Sequence, residues 1–288
     1  MTAAAHVPVR SAATVMVVDD RPDLQVLLLR RRAGSEFVGG MSVFPGGGVD
    51  PHDADPEVAA LCDGLDDVAA SARLGLAEDG LAYWVAAVRE TFEEAGVLFA
   101  RHEEDGRPLD PAEPGAAERL AADRRAVDAG ETRLADVVRD ARLRLAVDAM
   151  HYTAQWITPV GPPRRYDTRF FVTAMPKGQT PVADRREAVD SEWVRPADAL
   201  ASYARGERAM LPPTLGMLRL LASYPDSETL IAAALRDERR SDRPVRMAVQ
   251  GRDRFHILLP GESADDVPPG ATILDTEAWV RLRRGEED

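Results

Sequence analysis

The stretch Leu81 to Leu98 (LAYWVAAVRETFEEAGVL) constrains this chain more than any other, because it can hardly be anything but a helix. Trp84, Val88 and Phe92 fall on one apolar row at helical spacing, and Gly96 is a natural C-terminal stop. Strand signals lie on both sides of it. Ala13 to Asp19 and Leu24 to Leu29 are Val- and Leu-rich runs joined by Asp20-Arg21-Pro22-Asp23, which predicts a β-hairpin. Phe37 to Val49 alternates a short strand with Gly46, Gly47 and Gly48, where the backbone can turn tightly and approach a ligand without Cβ atoms in the way. Downstream, His151 to Thr158, Thr168 to Ala174 and a run ending at Ser191 to Val194 read as strands.

Between these lie helical patterns. Asp55 to Glu78 is acidic, with Val58, Leu61, Leu65 and Val68 at helix spacing, and Gly80 interrupts it. After a Pro- and Gly-rich loop at Asp105 to Gly115, charged amphipathic stretches at Ala116 to Ala129 and Thr132 to Leu145 predict a helical insertion. Helices are also expected at Pro196 to Gly206, Thr214 to Ser223 and Ser227 to Arg239, then a hairpin of Val245 to Val249 with Phe255 to Leu259. With 288 residues and no repeats, strands before and after the key helix favour one mixed α/β domain with helical insertions.

The chemistry sits on the key helix. Glu90, Glu93 and Glu94 stand at i, i+3 and i+4, so their carboxylates share one face and repel one another. A solvated acidic surface is the plain interpretation of such a triplet. Three hard oxygen donors within one turn also suit Mg²⁺ or Mn²⁺, which would relieve the repulsion. Other chemistries find little support: the five histidines lack metal spacing, and no Ser or Cys lies in a nucleophile motif. Cys62, the single cysteine, excludes an intramolecular disulfide and reads as a small apolar helix residue in a chain adapted to a reducing compartment. A net charge of −13 argues against a general nucleic-acid binder. The N-terminus lacks a signal-peptide core and no stretch approaches the ~20 apolar residues of a membrane span, so a soluble cytoplasmic protein without a membrane partner is expected.

Arg89-Glu90-Thr91-Phe92-Glu93-Glu94-Ala95-Gly96-Val97, preceded by the glycine cluster, resembles the second half of the box that defines Nudix hydrolases, with Thr91 where an aliphatic residue is usual. The first half departs from it: Arg89 lies 41 residues after Gly48, so an insertion splits loop from helix, and Asp50, Asp53 and Asp55 are candidates for the Glu that the usual box carries between them. This split box, with Phe37 to Gly47, Trp156-Ile-Thr-Pro159 and Arg165-Tyr-Asp-Thr-Arg-Phe-Phe171, is similar to the peroxisomal coenzyme A diphosphatase-like branch over roughly Ala13 to Leu221.

The resemblance implies a Nudix α/β/α sandwich with a mixed sheet over residues 1–224 and helical insertions at about 51–81 and 103–147, which leaves residues 225–288 as a C-terminal extension without an assigned role. It implies Glu93 and Glu94 as ligands of Mg²⁺ or Mn²⁺, Glu90 as ligand or base, Arg89 as the residue fixing the carboxylates, and the carbonyl of Gly46 or Gly47 as a further ligand. Glu187, six residues before Trp193, occupies the place of another metal-binding or water-activating Glu, or is one more surface charge. Arg31 and Arg165, ahead of Arg164 and Arg169, are candidates to clamp phosphates. The expected reaction is hydrolysis of a diphosphate bond in a small nucleotide-type substrate: coenzyme A or acyl-CoA, alternatively ADP-ribose, NADH or a dinucleoside polyphosphate. A non-catalytic nucleotide-binding domain is the third reading. The tail lies beyond the resemblance; one use for it is to cover the interface of a homodimer.

Overall fold

A computed structural model describes residues 7–32, 39–158, 164–184, 186, 188–236, 246–250, 254–258 and 271–274. The chain begins with strands Val9–Asp20 (β1), Leu24–Arg31 (β2), Ser42–Val43 (β3) and Gly46–Gly48 (β4), then short helices Pro56–Ala59 (α1) and Asp67–Leu74 (α2) and the long helix Leu81–Ala95 (α3). Ala100–His102 (β5), Ala116–Asp128 (α4), Leu134–Asp140 (α5) and Leu143–Leu145 (β6) follow. Then come His151–Ile157 (β7), Arg165–Ala174 (β8), Ala188–Val194 (β9), Pro196–Ala204 (α6), Pro212–Ala222 (α7) and Ser227–Leu235 (α8), and last Arg246–Gln250 (β10), Arg254–Leu258 (β11) and Thr272–Leu274 (β12).

The central sheet has seven strands in the order β3-β2-β1-β8-β7, with β4 also pairing β1 and β9 pairing β2. It is mixed: β1 and β8 run parallel, Val15 opposite Phe171, whereas the other pairings are antiparallel. The predicted hairpin closes with Val18 opposite Val26 and Asp20 opposite Leu24. Successive strand residues point to opposite faces, so a strand covered on both sides must be apolar throughout. In β1, Ala13, Val15 and Val17 enter the core beneath α3, while Met16 and Val18 enter the core beneath α6, α7 and α8. Leu27 against Leu24, Val26 and Leu28, and Phe171 against Phe170 and Val172, divide likewise. The result is the expected α/β/α sandwich.

Trp84, Val88 and Phe92 are fully buried under α3. The Trp84 ring meets Phe171 edge-on at 4.8 Å, and its indole N–H donates to the Met150 carbonyl at 2.9 Å. Truncating a side chain so packed costs about 3–5 kcal/mol. On the other face Leu218 and Leu221 of α7 pack with Leu230 of α8. The Asp20 carboxylate accepts from both the amide and the hydroxyl of Ser227, fastening α8 to the first hairpin. No helix among the described residues is long and apolar enough to cross a membrane.

Several local expectations need correction. Asp55 to Glu78 is broken rather than continuous: Asp55 is extended ahead of Pro56, Gly64 takes a positive φ, and a new helix starts where Asp66 caps the Ala69 amide. Val68 is accordingly 80% exposed, although Val58 and Leu65 are buried. Helix α3 stops at Ala95, since Gly96 is left-handed and returns its N–H to the Phe92 carbonyl; Val97 and Leu98 are buried beyond the helix. Thr132 to Leu145 is helical only over α5, and β6 pairs with β5 as a two-stranded ribbon. Cys62 is outside any helix, in a bridge with Leu145; burial pushes its thiol up to about 12, leaving it an inert apolar group.

Candidate active site

Strand β4 brings the glycine cluster against α3. Gly46, Gly47 and Gly48 pair with Thr14, Ala13 and Ala12 of β1, which fixes their height above the helix. A Cβ on Gly46 would lie 2.4 Å from the Ala13 carbonyl oxygen, and one on Gly47 would lie 2.6 Å from the Glu90 carboxyl. At Gly46 the clash is with backbone, so only glycine fits; at Gly47 a Cβ would displace the Glu90 carboxyl. The Gly46 amide donates to Glu94 at 2.8 Å, so loop backbone and helix carboxylates are already in contact.

Arg89 organises the other side. Its Nε and Nη2 donate to the two Asp53 oxygens, each at 2.9 Å, a paired fork that a lysine could not make. Nη2 also donates to the Gly48 carbonyl at 2.8 Å, and Nη1 donates to Glu90 at 2.8 Å and to Glu93 at 3.4 Å. Asp53 thus joins the box; Asp50 instead caps the His52 amide, and Asp55 faces His52 and Arg133. Burial would lower the Arg89 pKa, but Asp53, Glu90 and Glu93 hold it above the ordinary arginine value, firmly charged. Burial pushes Glu93 up to about 7 against the pull of Arg89, and Glu90 adds to the push. Glu94, 6% exposed, turns to Gly46 and stands 3.8 Å from Arg31.

The three predicted carboxylates therefore lie on one turn but face two ways, Glu90 and Glu93 toward Arg89 Nη1 and Glu94 toward Gly46 and Arg31. Among the described residues, no three His, Cys, Asp or Glu side chains close into a ready coordination set. The donor chemistry nevertheless fits a divalent cation: hard oxygens crowd one arginine, burial disfavours the charged form of Glu93, and Gly47 lets the Glu90 carboxyl pack where a Cβ would stand.

The remaining candidates separate. Arg31 belongs to the site through Glu94. Arg165 is at the start of β8 opposite Val9, with its Nε donating to the Thr158 carbonyl at 3.0 Å. Arg169 is withdrawn as a phosphate clamp: it is buried, bonded to the Leu74 carbonyl and Asp167, and stacked over Tyr83. Arg164 is exposed. Glu187 lies outside the described residues. Sequence reasoning missed Arg124 of α4, whose Nε donates to the Glu93 carbonyl at 3.0 Å, placing a cation at the negative end of α3. Thr91 departs from the usual aliphatic residue without cost, because its buried hydroxyl donates to the Ala87 carbonyl at 2.7 Å.

A family profile described as the NUDT19 Nudix domain matches residues 69–221. The acyl-coenzyme A diphosphatase NUDT19 of Xenopus laevis is 26% identical over 279 residues, covering 87% of this chain and 73% of that protein. Its Homo sapiens counterpart is 29% identical over 274 residues, covering 83% and 71%. A solved Nudix hydrolase from Alicyclobacillus acidocaldarius superposes with a TM-score of 0.64 at 29% identity, covering 79% of this chain and 97% of that one. With a profile match over more than half its length and the Arg-Glu box of α3 set against the glycine loop, this chain belongs to the Nudix family, in the group of the NUDT19 Nudix domain.

Proposed function

We propose that this protein is a metal-dependent diphosphatase that hydrolyses coenzyme A or acyl-CoA to 3′,5′-ADP and 4′-phosphopantetheine or its acyl form. The observation that carries this reading is the Arg89 hub, which holds Asp53, Glu90, Glu93 and the Gly48 carbonyl in one cluster against a loop only glycine can form. Similarity to proteins named acyl-coenzyme A diphosphatases supplies the substrate class.

Glu93, Glu94 and Glu90, with the Gly47 carbonyl, would hold Mg²⁺ or Mn²⁺. Such an ion neutralises charge on the diphosphate oxygens and lowers the pKa of a bound water. Arg89 positions Glu90 and Glu93 and keeps their charges together through hydrogen bonds. Glu90, packed on Gly47, would accept the proton of the attacking water; Glu187 is a second candidate for that role. Attack at one phosphorus breaks the P–O–P bridge, and the departing phosphate carries the new charge toward Arg31, with Arg165 a further phosphate contact. The net charge of −13 favours a small-molecule substrate over nucleic acid, and the single, buried cysteine suits a reducing cytoplasm; a homodimer belongs to the same reading.

The test is a mass-spectrometric screen of purified protein with Mg²⁺ or Mn²⁺ against CoA, acetyl-CoA, ADP-ribose, NADH and diadenosine polyphosphates. Preferential release of 3′,5′-ADP from the CoA compounds is expected. Cleavage of another compound with CoA left intact would overturn the substrate, and inertness toward all would overturn the enzyme.

A further inference from the structure

The two segments inserted into the family pattern meet beside α3 and enclose a cleft of about 420 Å³. One wall is Val58 of α1, the other is Val127, Leu134 and Ala135 of the second insertion, and the floor is Val85, Arg89 and Glu93 of α3. Those three floor residues are one row at i, i+4 and i+8, so the cleft runs along the helix and ends on the catalytic cluster. Two ion pairs join the insertions across it, Arg133 to Asp55 at 3.5 Å and Arg139 to Glu57 at 3.1 Å.

Its size lies within the roughly 300–1,000 Å³ of small-molecule sites, and its apolar side chains, Val58, Val85, Val127, Leu134 and Ala135, are set among charged ones. Charge limits the occupant. Six of the lining residues are acidic and two, Arg89 and Arg133, are basic. Asp53 and Glu93 share the single cation Arg89 with Glu90. Such a concave, acidic surface repels phosphates. It suits a group with amide or hydroxyl donors and an apolar body.

Resting on the diphosphatase reading above, the geometry points to this cleft as the site of the substrate's neutral pantetheine arm and of any acyl group on its sulfur, with the nucleotide end directed away from it. The insertions are then specificity elements. A substrate whose two ends both carry phosphates or nucleotides has no neutral arm to place there and is rejected by the acidic walls.

Two variants narrow the cleft without touching α3: Ala135→Phe fills it from α5, and Thr132→Trp crowds its rim. KM for CoA should rise about tenfold or more, and inhibition by added 4′-phosphopantetheine should weaken in parallel, while inhibition by 3′,5′-ADP stays within about twofold. The retained 3′,5′-ADP inhibition reports an intact site, and if Ala135→Phe fails to fold, the Thr132→Trp result decides. Unchanged 4′-phosphopantetheine inhibition in the folded variants, or selective loss of 3′,5′-ADP inhibition, would overturn the assignment. If the parent enzyme leaves CoA intact, the diphosphatase reading itself falls and takes the cleft with it; cleavage of CoA with unaltered variant kinetics removes the cleft alone.

Discussion

Both faces of the central sheet bury an apolar core, but they differ in what else they bury. Beneath α6, α7 and α8, Leu215, Leu218, Leu221 and Leu230 close the sheet with the inward side chains of β1, β2 and β8. Beneath α3, the core of Trp84, Val88 and Phe92 is bordered by Asp53, Glu94 and Arg169, the charged residues buried among those described. Buried ion pairs are poor stabilisers, since the desolvation of both partners offsets their attraction. The α3 face therefore carries a desolvation cost that the opposite face does not.

That contrast can be broken by substitution on each face. On the α3 face, Glu93→Gln keeps the shape and removes one carboxylate from the cluster; kcat should fall about 100- to 1,000-fold with circular dichroism unchanged. Retention of more than a tenth of the activity would remove Glu93 from the chemistry. Asp53→Ala leaves Arg89 without its fork partner, and a broken buried pair costs about 3–5 kcal/mol, to be read from urea denaturation together with a lower kcat. On the opposite face, Leu218→Ala should cost about 2–5 kcal/mol while kcat of the folded enzyme stays within about twofold; a large kcat loss there would erase the division. Thr91→Val should change stability by less than about 1 kcal/mol, because the Ala87 carbonyl that its hydroxyl meets lies within the helix ladder.

The legible parts were those governed by local chemistry. The β1–β2 hairpin followed from two Val- and Leu-rich runs flanking a Pro-Asp turn, and α3 from its apolar row and terminal Gly96. Glu90, Glu93, Glu94 and Arg89 could be named because helical spacing alone puts them on one turn. What could not be read depends on contacts between distant segments. Asp53 was one of three equal candidates until the fold set it against Arg89, 36 residues away. Arg124 carries no motif, and its role rests on a carbonyl 31 residues earlier. The division of the carboxylates between Arg89 and Gly46 depends on rotamers that spacing does not determine. Strand β6 was hidden because Leu143-Arg-Leu145, three residues long, continues the spacing of a charged helix and becomes a strand only by pairing with β5.

The most direct test sets the parent enzyme beside Glu94→Gln on CoA with a divalent cation, following 3′,5′-ADP by mass spectrometry. Glu94 is the helix carboxylate that touches both the glycine loop and Arg31, so it joins the two halves of the site. Release of 3′,5′-ADP by the parent, its loss on adding EDTA, and its near-absence in the folded variant are the expected results. Release undiminished by the substitution would mean that the reaction occurs somewhere other than this face of α3.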